Sequence, residues 1–296
     1  MNPFMITFLT KNGKQKPGDS AFLDPQEEDV YSNTESHFLD GEMDEDTEVS
    51  NQPTSDPNPF DLPFQDPFNH LPAGHILLGM GEDGLPVLLN MLDHENGSVL
   101  AISDELEDTY DLLRAAACSA CHPTATQTIL LAIITPDPDR WRAEFDLPQN
   151  RRRLLGIYTA EQAEAGNILA RLAVAARRRA LGQEKHQPVL LLFEGLEAAD
   201  KMNFKTRLDL EWLTRVGPSV GIKMIATLLP EAPASLKGII PTFTTWLSGW
   251  VEHQDSRRQL GARISPGLEL KVPAGSFRLL EPGAPLQFEI IPFTTS

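Results

Sequence analysis

The chain has 296 residues, 41% hydrophobic and 23% charged, enough for one large domain or two small ones with a buried core. Its 42 acids against 25 bases leave a formal charge of −17, the opposite sign to that of a free-standing nucleic-acid binder. Two cysteines three positions apart exclude a disulfide framework, no apolar run reaches the roughly 18–20 residues of a membrane helix, and Met1–Thr10 has no basic leader, so a reducing, cytoplasmic setting is expected.

The charge is unevenly spread. Residues 1–70 hold 15 acids and 3 bases, with no helical or alternating apolar period. Such a segment buries too little apolar surface to offset its ordering entropy, so it is expected to be a disordered acidic tail, with the folded domain at 71–296. Within the tail, Asn58-Pro-Phe-Asp-Leu-Pro-Phe-Gln-Asp-Pro-Phe68 carries three Phe, each preceded by Pro, a pattern that suits a short docking motif or a linker leaning on its neighbour.

Beyond residue 70, strand and helix signals alternate. His75–Met80, the turn Gly81-Glu-Asp-Gly84 and Leu85–Leu89 read as a hairpin. Ser98–Ile102 reads as a buried strand and Thr109–Ala120 as a helix. Thr128–Thr135 and Pro188–Phe193 are unbroken apolar runs, as expected of central parallel strands covered on both faces. Residues 160–181 form an amphipathic helix whose basic end, Arg177-Arg-Arg179, suits the helix dipole and whose stop is Gly182. A helix over 203–216, a strand over 222–227, a strand region over 242–251 and short strands over 268–293 complete the series. The alternation predicts an α/β fold with a mostly parallel sheet and helices on both faces.

The order of these pieces is informative. Leu78-Gly79-x-x-x-x-Gly84-x-Pro86-Val87 leads into a strand and then a loop opening a helix. Two more strands follow, then Gly221–Thr227, Ile240-Pro-Thr242, Asp255-Ser-Arg257 and a closing Pro273-Ala-Gly275 hairpin. Over about residues 76–293 this resembles the motor domain of the FtsK/HerA class of P-loop ATPases, which includes the SpoIIIE-type DNA translocases. The resemblance implies a RecA-like P-loop NTPase sheet, ATP and magnesium as ligands, and work alongside other motor subunits.

The departures from that pattern are systematic. The family's phosphate loop, G-x-x-x-x-G-K-[ST], corresponds here to Ile102-Ser103-Asp104-Glu105-Leu106-Glu107-Asp108-Thr109. Ile102 and Glu107 replace the glycines, Asp108 replaces the lysine, and only the hydroxyl of Thr109 is kept. A β-branched Ile resists the backbone conformations that Gly permits. Two unit charges 4 Å apart interact by about 4 kcal/mol even at an effective dielectric of about 20, so an Asp facing a triphosphate opposes it strongly. Residues 82–111 hold nine acids and no Lys or Arg. At the strand end where the family places Asp-Glu, this chain has Phe193-Glu194; Leu228-Leu229-Pro230 replaces Gln-Arg-Pro, and Phe243 replaces an interface Arg. The pattern implies a fold retained without its reaction, leaving Glu194 as a residual carboxylate, with no catalytic residue, cofactor or metal expected and a protein partner, such as an active motor of the same class, as the ligand. The alternative is a weak or partner-assisted ATPase subunit of a DNA translocase that binds ATP and Mg.

Other motifs point elsewhere. Cys118-Ser-Ala-Cys121-His122 matches the C-x-x-C-H haem-attachment string, but it lies in an Ala-rich helix where small packed residues are expected. The seven His show no H-x-x-x-H or H-E-x-x-H spacing, and no G-x-S-x-G is present. The triplets Arg151–Arg153 and Arg177–Arg179 leave DNA contact open, although residues 112–296 carry only four more bases than acids.

Overall fold

A computed structural model describes residues 7–8, 71–93, 95, 97–122, 127–183, 187–229, 233–252, 272–280 and 286–291. Apart from Thr7–Phe8, the expected acidic tail lies outside the described residues, as do the Pro-Phe motif at 58–68 and Asp255–Arg257. Thr7–Phe8 (β1) is a short strand where none was expected, running parallel to Val87 and Leu88.

Eleven described strands form one mixed sheet. The hairpin is β2 (His75–Gly81) and β3 (Pro86–Asn90), antiparallel and closed by Gly84 at φ 75°, a left-handed position that favours Gly. Then follow β4 (Val99–Ile102), helix α1 (Leu106–Cys121), β5 (Leu130–Ile134), α2 (Pro138–Phe145), β6 (Leu154–Tyr158) and α3 (Ala163–Ala180). The chain continues through β7 (Val189–Phe193), α4 (Phe204–Val216), β8 (Ile222–Leu228), β9 (Thr245–Ser248), β10 (Ser276–Leu279) and β11 (Gln287–Glu289). The strand order is β1-β3-β2-β11-β10-β9-β4-β8-β7-β5-β6; β9 to β6 pair in parallel, whereas β9, β10, β11, β2 and β3 pair antiparallel in turn.

Why these runs are strands follows from burial. Every residue of β4, β7 and β8 is buried, so each strand supplies alternate side chains to two cores. Leu100, Ile102, Leu191 and Phe193 join α3 and α4 on one face, and Val99, Ala101, Leu190 and Leu192 join α1 and α2 on the other. The helix expected from Thr109 begins three residues earlier, at Leu106, where Glu107 and Asp108 complement the positive end of its dipole. Two elements have no counterpart in the sequence reading. Helix α2 is short and buries only Trp141 and Phe145, and β6 follows three exposed or half-buried arginines. No described helix is long and apolar enough to cross a membrane.

One charged residue lies within the buried strand β8. Lys223 is fully buried, its Nζ donating to the Asn90 carbonyl at 2.7 Å, and burial pulls its pKa down to about 8. Because the unfolded chain binds the proton more tightly, this group makes stability rise with pH between about 8 and 10.5 and costs on the order of 3 kcal/mol below that window. Lys223→Met should therefore gain stability over the wild type most at pH 7, and denaturant unfolding should show that gain shrinking towards pH 10. A gain that does not change with pH would contradict the buried ammonium.

Candidate functional site

In an open α/β sheet, ligands bind outside the carboxyl ends of the parallel strands. Here that edge is formed by the ends of β4, β5, β7 and β8. The segment between β4 and α1 is Ser103-Asp104-Glu105, while Leu106 to Thr109 already lie in the first turn of α1. Ile102 and Ser103 are fully buried.

Several of the loop's hydrogen-bonding groups are engaged within the protein. The Asp104 amide donates to the Trp250 carbonyl at 2.8 Å, and the Glu105 amide donates to Ser103 Oγ at 3.2 Å. Ser103 Oγ in turn donates to the Trp250 carbonyl at 3.2 Å. The Asp104 carboxylate accepts the Glu252 amide at 2.6 Å, and Gly249 donates its amide to the Ile102 carbonyl at 2.9 Å. A Cβ on Gly249 would lie 2.8 Å from Ser103 Cβ, so the segment after β9 sits directly against the loop. A phosphate cradle needs inward-pointing, unpaired amides, and those of Asp104 and Glu105 are taken.

The side chains complete the closure. Asp108, at the expected lysine position, is buried; its Oδ1 accepts the Gly275 amide at 3.0 Å, Oδ2 has no partner among the described residues, and burial pushes its pKa up. Thr109 Oγ1 donates back to the Leu106 carbonyl at 2.8 Å and is buried. Glu107 is held by Arg140 through two bonds of 3.2 and 2.6 Å, and the guanidinium holds its pKa below the usual carboxylate value. Leu106 projects outward, 60% exposed. Glu105 precedes the helix without making a side-chain cap.

At the end of β7, Glu194 Oε2 accepts the Thr135 hydroxyl at 2.6 Å and the Trp141 indole N–H at 2.8 Å. Thr135 and Trp141 are both buried, so this carboxylate is the acceptor for two groups shut away from water. Trp141 also meets Tyr110 edge-on at 5.1 Å, and the Arg140 guanidinium lies 3.3 Å from the Tyr110 ring centroid. One chain of contacts thus runs from Glu194 through α2 to Glu107. Phe193, Leu228 and Phe243, which occupy the other expected polar stations, belong to a single apolar cluster with Leu196 and Leu236. Leu229 donates its amide to Glu197, whose pKa burial raises; Pro230 lies outside the described residues.

The remaining motifs resolve into structure. Burial pushes the thiols of Cys118 and Cys121 up to about 12 and about 11, which keeps them protonated and unreactive near neutral pH. Among the described residues no group of His, Cys, Asp or Glu could hold a metal ion. Arg153 donates to the Ala120 and His122 carbonyls at the end of α1. Arg179 donates to the Val220 and Gln187 carbonyls, and Arg177 faces Asp209 and the Trp212 ring. Arg153, Arg177 and Arg179 are therefore engaged in holding the domain together. The sequence reading missed Thr135, Trp141, Tyr110, Arg140 and Trp250 as members of this site; Asp137-Pro138, a capping residue followed by proline, was the available signal for α2.

With this geometry in hand, the fold can be compared with known structures. No family model matches the chain, and no curated protein matches it by sequence. Solved structures do. Thermomonospora curvata EccC (ATPases 2 and 3), in complex with a signal sequence peptide, superposes with a TM-score of 0.57 at 18% identity, over 75% of this chain and 41% of that one. The cytoplasmic domain of EssC gives 0.56 at 14% identity, over 77% of this chain and 44% of that one. The pCW3 conjugation coupling protein TcpA, in its monomer form with ATPγS, gives 0.56 at 14% identity, over 77% of this chain and 68% of that one. The chain thus spans less than half the length of the EccC and EssC structures. Its fold is that of the FtsK/SpoIIIE-type P-loop ATPase domain, as the order of sequence elements implied.

If Glu194 serves as an internal acceptor, Glu194→Ala strands the Trp141 indole and the Thr135 hydroxyl and should cost about 1–3 kcal/mol in urea unfolding. Glu194→Gln, which keeps a carbonyl acceptor, should cost less. An unchanged midpoint for Glu194→Ala would remove the structural role.

Proposed function

We propose that this is a catalytically inactive FtsK-like P-loop domain that works as a protein-interaction, scaffold or regulatory module. The observation that carries the reading is the closed segment 103–105, whose Asp104 and Glu105 amides are bonded internally while the Asp108 carboxylate stands where a phosphate-binding lysine would. Phosphoryl transfer depends on positioning and charge neutralisation. This edge of the sheet supplies negative charge instead: Glu105, Glu107, Asp108 and Asp111 lie within the start of α1, and Arg140 compensates Glu107. The apolar packing of Phe193, Leu228 and Phe243 supports the same conclusion, since it preserves the sheet while omitting the polar groups. Protein partners are plausible because domains of this fold occur in larger assemblies of ATPase units, and the EccC structure holds a signal sequence peptide. An active motor of the same class is one such partner.

The second reading, a partner-assisted ATPase subunit of a DNA translocase, draws on the retention of Thr109 and Glu194. Titration calorimetry with ATP and magnesium separates the two. The inactive reading expects no saturable heat, that is, binding weaker than about 1 mM. Saturable micromolar binding that Thr109→Ala abolishes would overturn it.

A further inference from the structure

The two ends of the sheet are closed in different ways. At one end β6 slips in register against β5, so that Leu131 faces Leu154 and Ala132 faces Gly156, leaving Leu155 as a bulge. The Tyr158 hydroxyl donates to the Leu155 carbonyl at 3.0 Å and covers that acceptor. A bulged edge with an occupied carbonyl is a poor template for a further strand.

The hairpin strand β3, near the other end, has neither device. It reads Pro86-Val-Leu-Leu-Asn90, without a charge, and the irregularity in its pairing with β2 falls on β2, between Leu77 and Gly79. A regular, uncharged edge strand is a template on which another strand adds. Here the position is filled from within the chain. β1 is the outermost strand and runs parallel to β3, with Thr7 opposite Val87 and Phe8 opposite Leu88.

Two features make β1 a detachable strand. Its contact is two paired residues, against the five pairs that join β2 to β3. Short contacts made by a chain terminus are among the first to open. Residues 9–70 also separate β1 from Leu71, so no tight turn ties it to its neighbour.

The edge also defines what fits it. Successive side chains of a strand face opposite sides of the sheet. Val87 and Leu89 belong to the apolar cluster shared with α1, whereas Leu88 lies in a separate cluster with Leu77, Leu71 and Ile291. A strand laid beside β3 therefore borders apolar side chains on both faces and needs apolar residues at both parities. Met5-Ile-Thr-Phe-Leu9 has that composition.

We propose that the outer edge of β3 is a strand-addition site, held in cis by β1 and opened to an extended apolar segment of a partner protein when β1 leaves. The incoming segment runs parallel to β3 and takes the ladder positions beside Val87 and Leu88, so it competes with β1 for one edge. The proposal rests on the protein acting through partners, to which it gives a surface and a built-in control. It does not involve the segment 103–109.

The test uses the full chain and a fluorescent peptide with the sequence of residues 3–11, read by anisotropy. Thr7→Pro combined with Phe8→Pro removes two backbone N–H groups from β1, which then cannot hold the ladder. This variant should bind the peptide saturably, on the order of tenfold or more tighter than the wild type, whose own strand competes. The same peptide with proline at both positions should not bind. Thr7→Gly combined with Phe8→Gly weakens the strand without removing a donor and should fall between. It carries the comparison if circular dichroism melts show the proline variant unfolded. Amide spectra of the isotopically labelled variant should place the peptide-induced shifts at Val87–Leu89. No binding by the folded variant below about 1 mM overturns the proposal, as does equal binding by the wild type, equal binding of the proline peptide, or shifts that spare residues 87–89. Self-association of the variant that the peptide does not reverse would make a second copy the occupant and overturns it as well. The nucleotide titration reads separately, so either result can fail without the other.

Discussion

The organisation of this edge of the sheet depends on a short set of hydrogen bonds between the end of β4 and the segment after β9. Asp104 donates its amide to the Trp250 carbonyl, Ser103 directs its hydroxyl to the same oxygen, and the Asp104 carboxylate takes the Glu252 amide. A peptide group is costly to bury unpaired, so once these bonds exist the loop has little reason to reopen for an anion. In a P-loop the glycines leave the amides unpaired and aimed at the phosphate. Here the Asp104 amide is bonded to the Trp250 carbonyl and the Glu105 amide to the Ser103 hydroxyl.

Acidity and apolar packing follow from that closure. Carboxylates at the start of α1 complement the helix dipole, and Arg140 ties Glu107 to the Tyr110 ring. Across the sheet edge, Glu194 is held between Thr135 and Trp141. Phe193, Leu228 and Phe243 fill one core in which polar groups would otherwise need partners. The fold itself, shared at low identity with EccC, EssC and TcpA, does not prescribe a reaction.

Much of the architecture is readable from residue patterns, for identifiable reasons. The unbroken runs at 130–134 and 189–193 are buried on both faces, and few other structures tolerate such a run between turn signals. The hairpin at 75–90 follows from a glycine turn between two apolar segments. Helix α2 and β6 escape notice because each shows too little periodicity: α2 buries only two residues in eight, and the Leu155 bulge breaks the alternation of β6. The same holds for the site. Asp108 and Phe193 stand out against the motif order that the sequence resembles, whereas the Trp141 indole reaching Glu194 and the Trp250 carbonyl reaching Asp104 join residues 53 and 146 positions apart. Only the folded chain brings them together.

Backbone amide spectra of the isotopically labelled full chain give the most direct view of the closed loop. With a non-hydrolysable ATP analogue and magnesium added, the amides of Asp104 and Glu105 should keep their positions, and that of Asp104 should exchange slowly with solvent, as its bond to Trp250 requires. Saturable shifts concentrated at residues 104–109, with loss of that protection, would show that the loop opens to hold phosphate and would contradict an inactive P-loop domain.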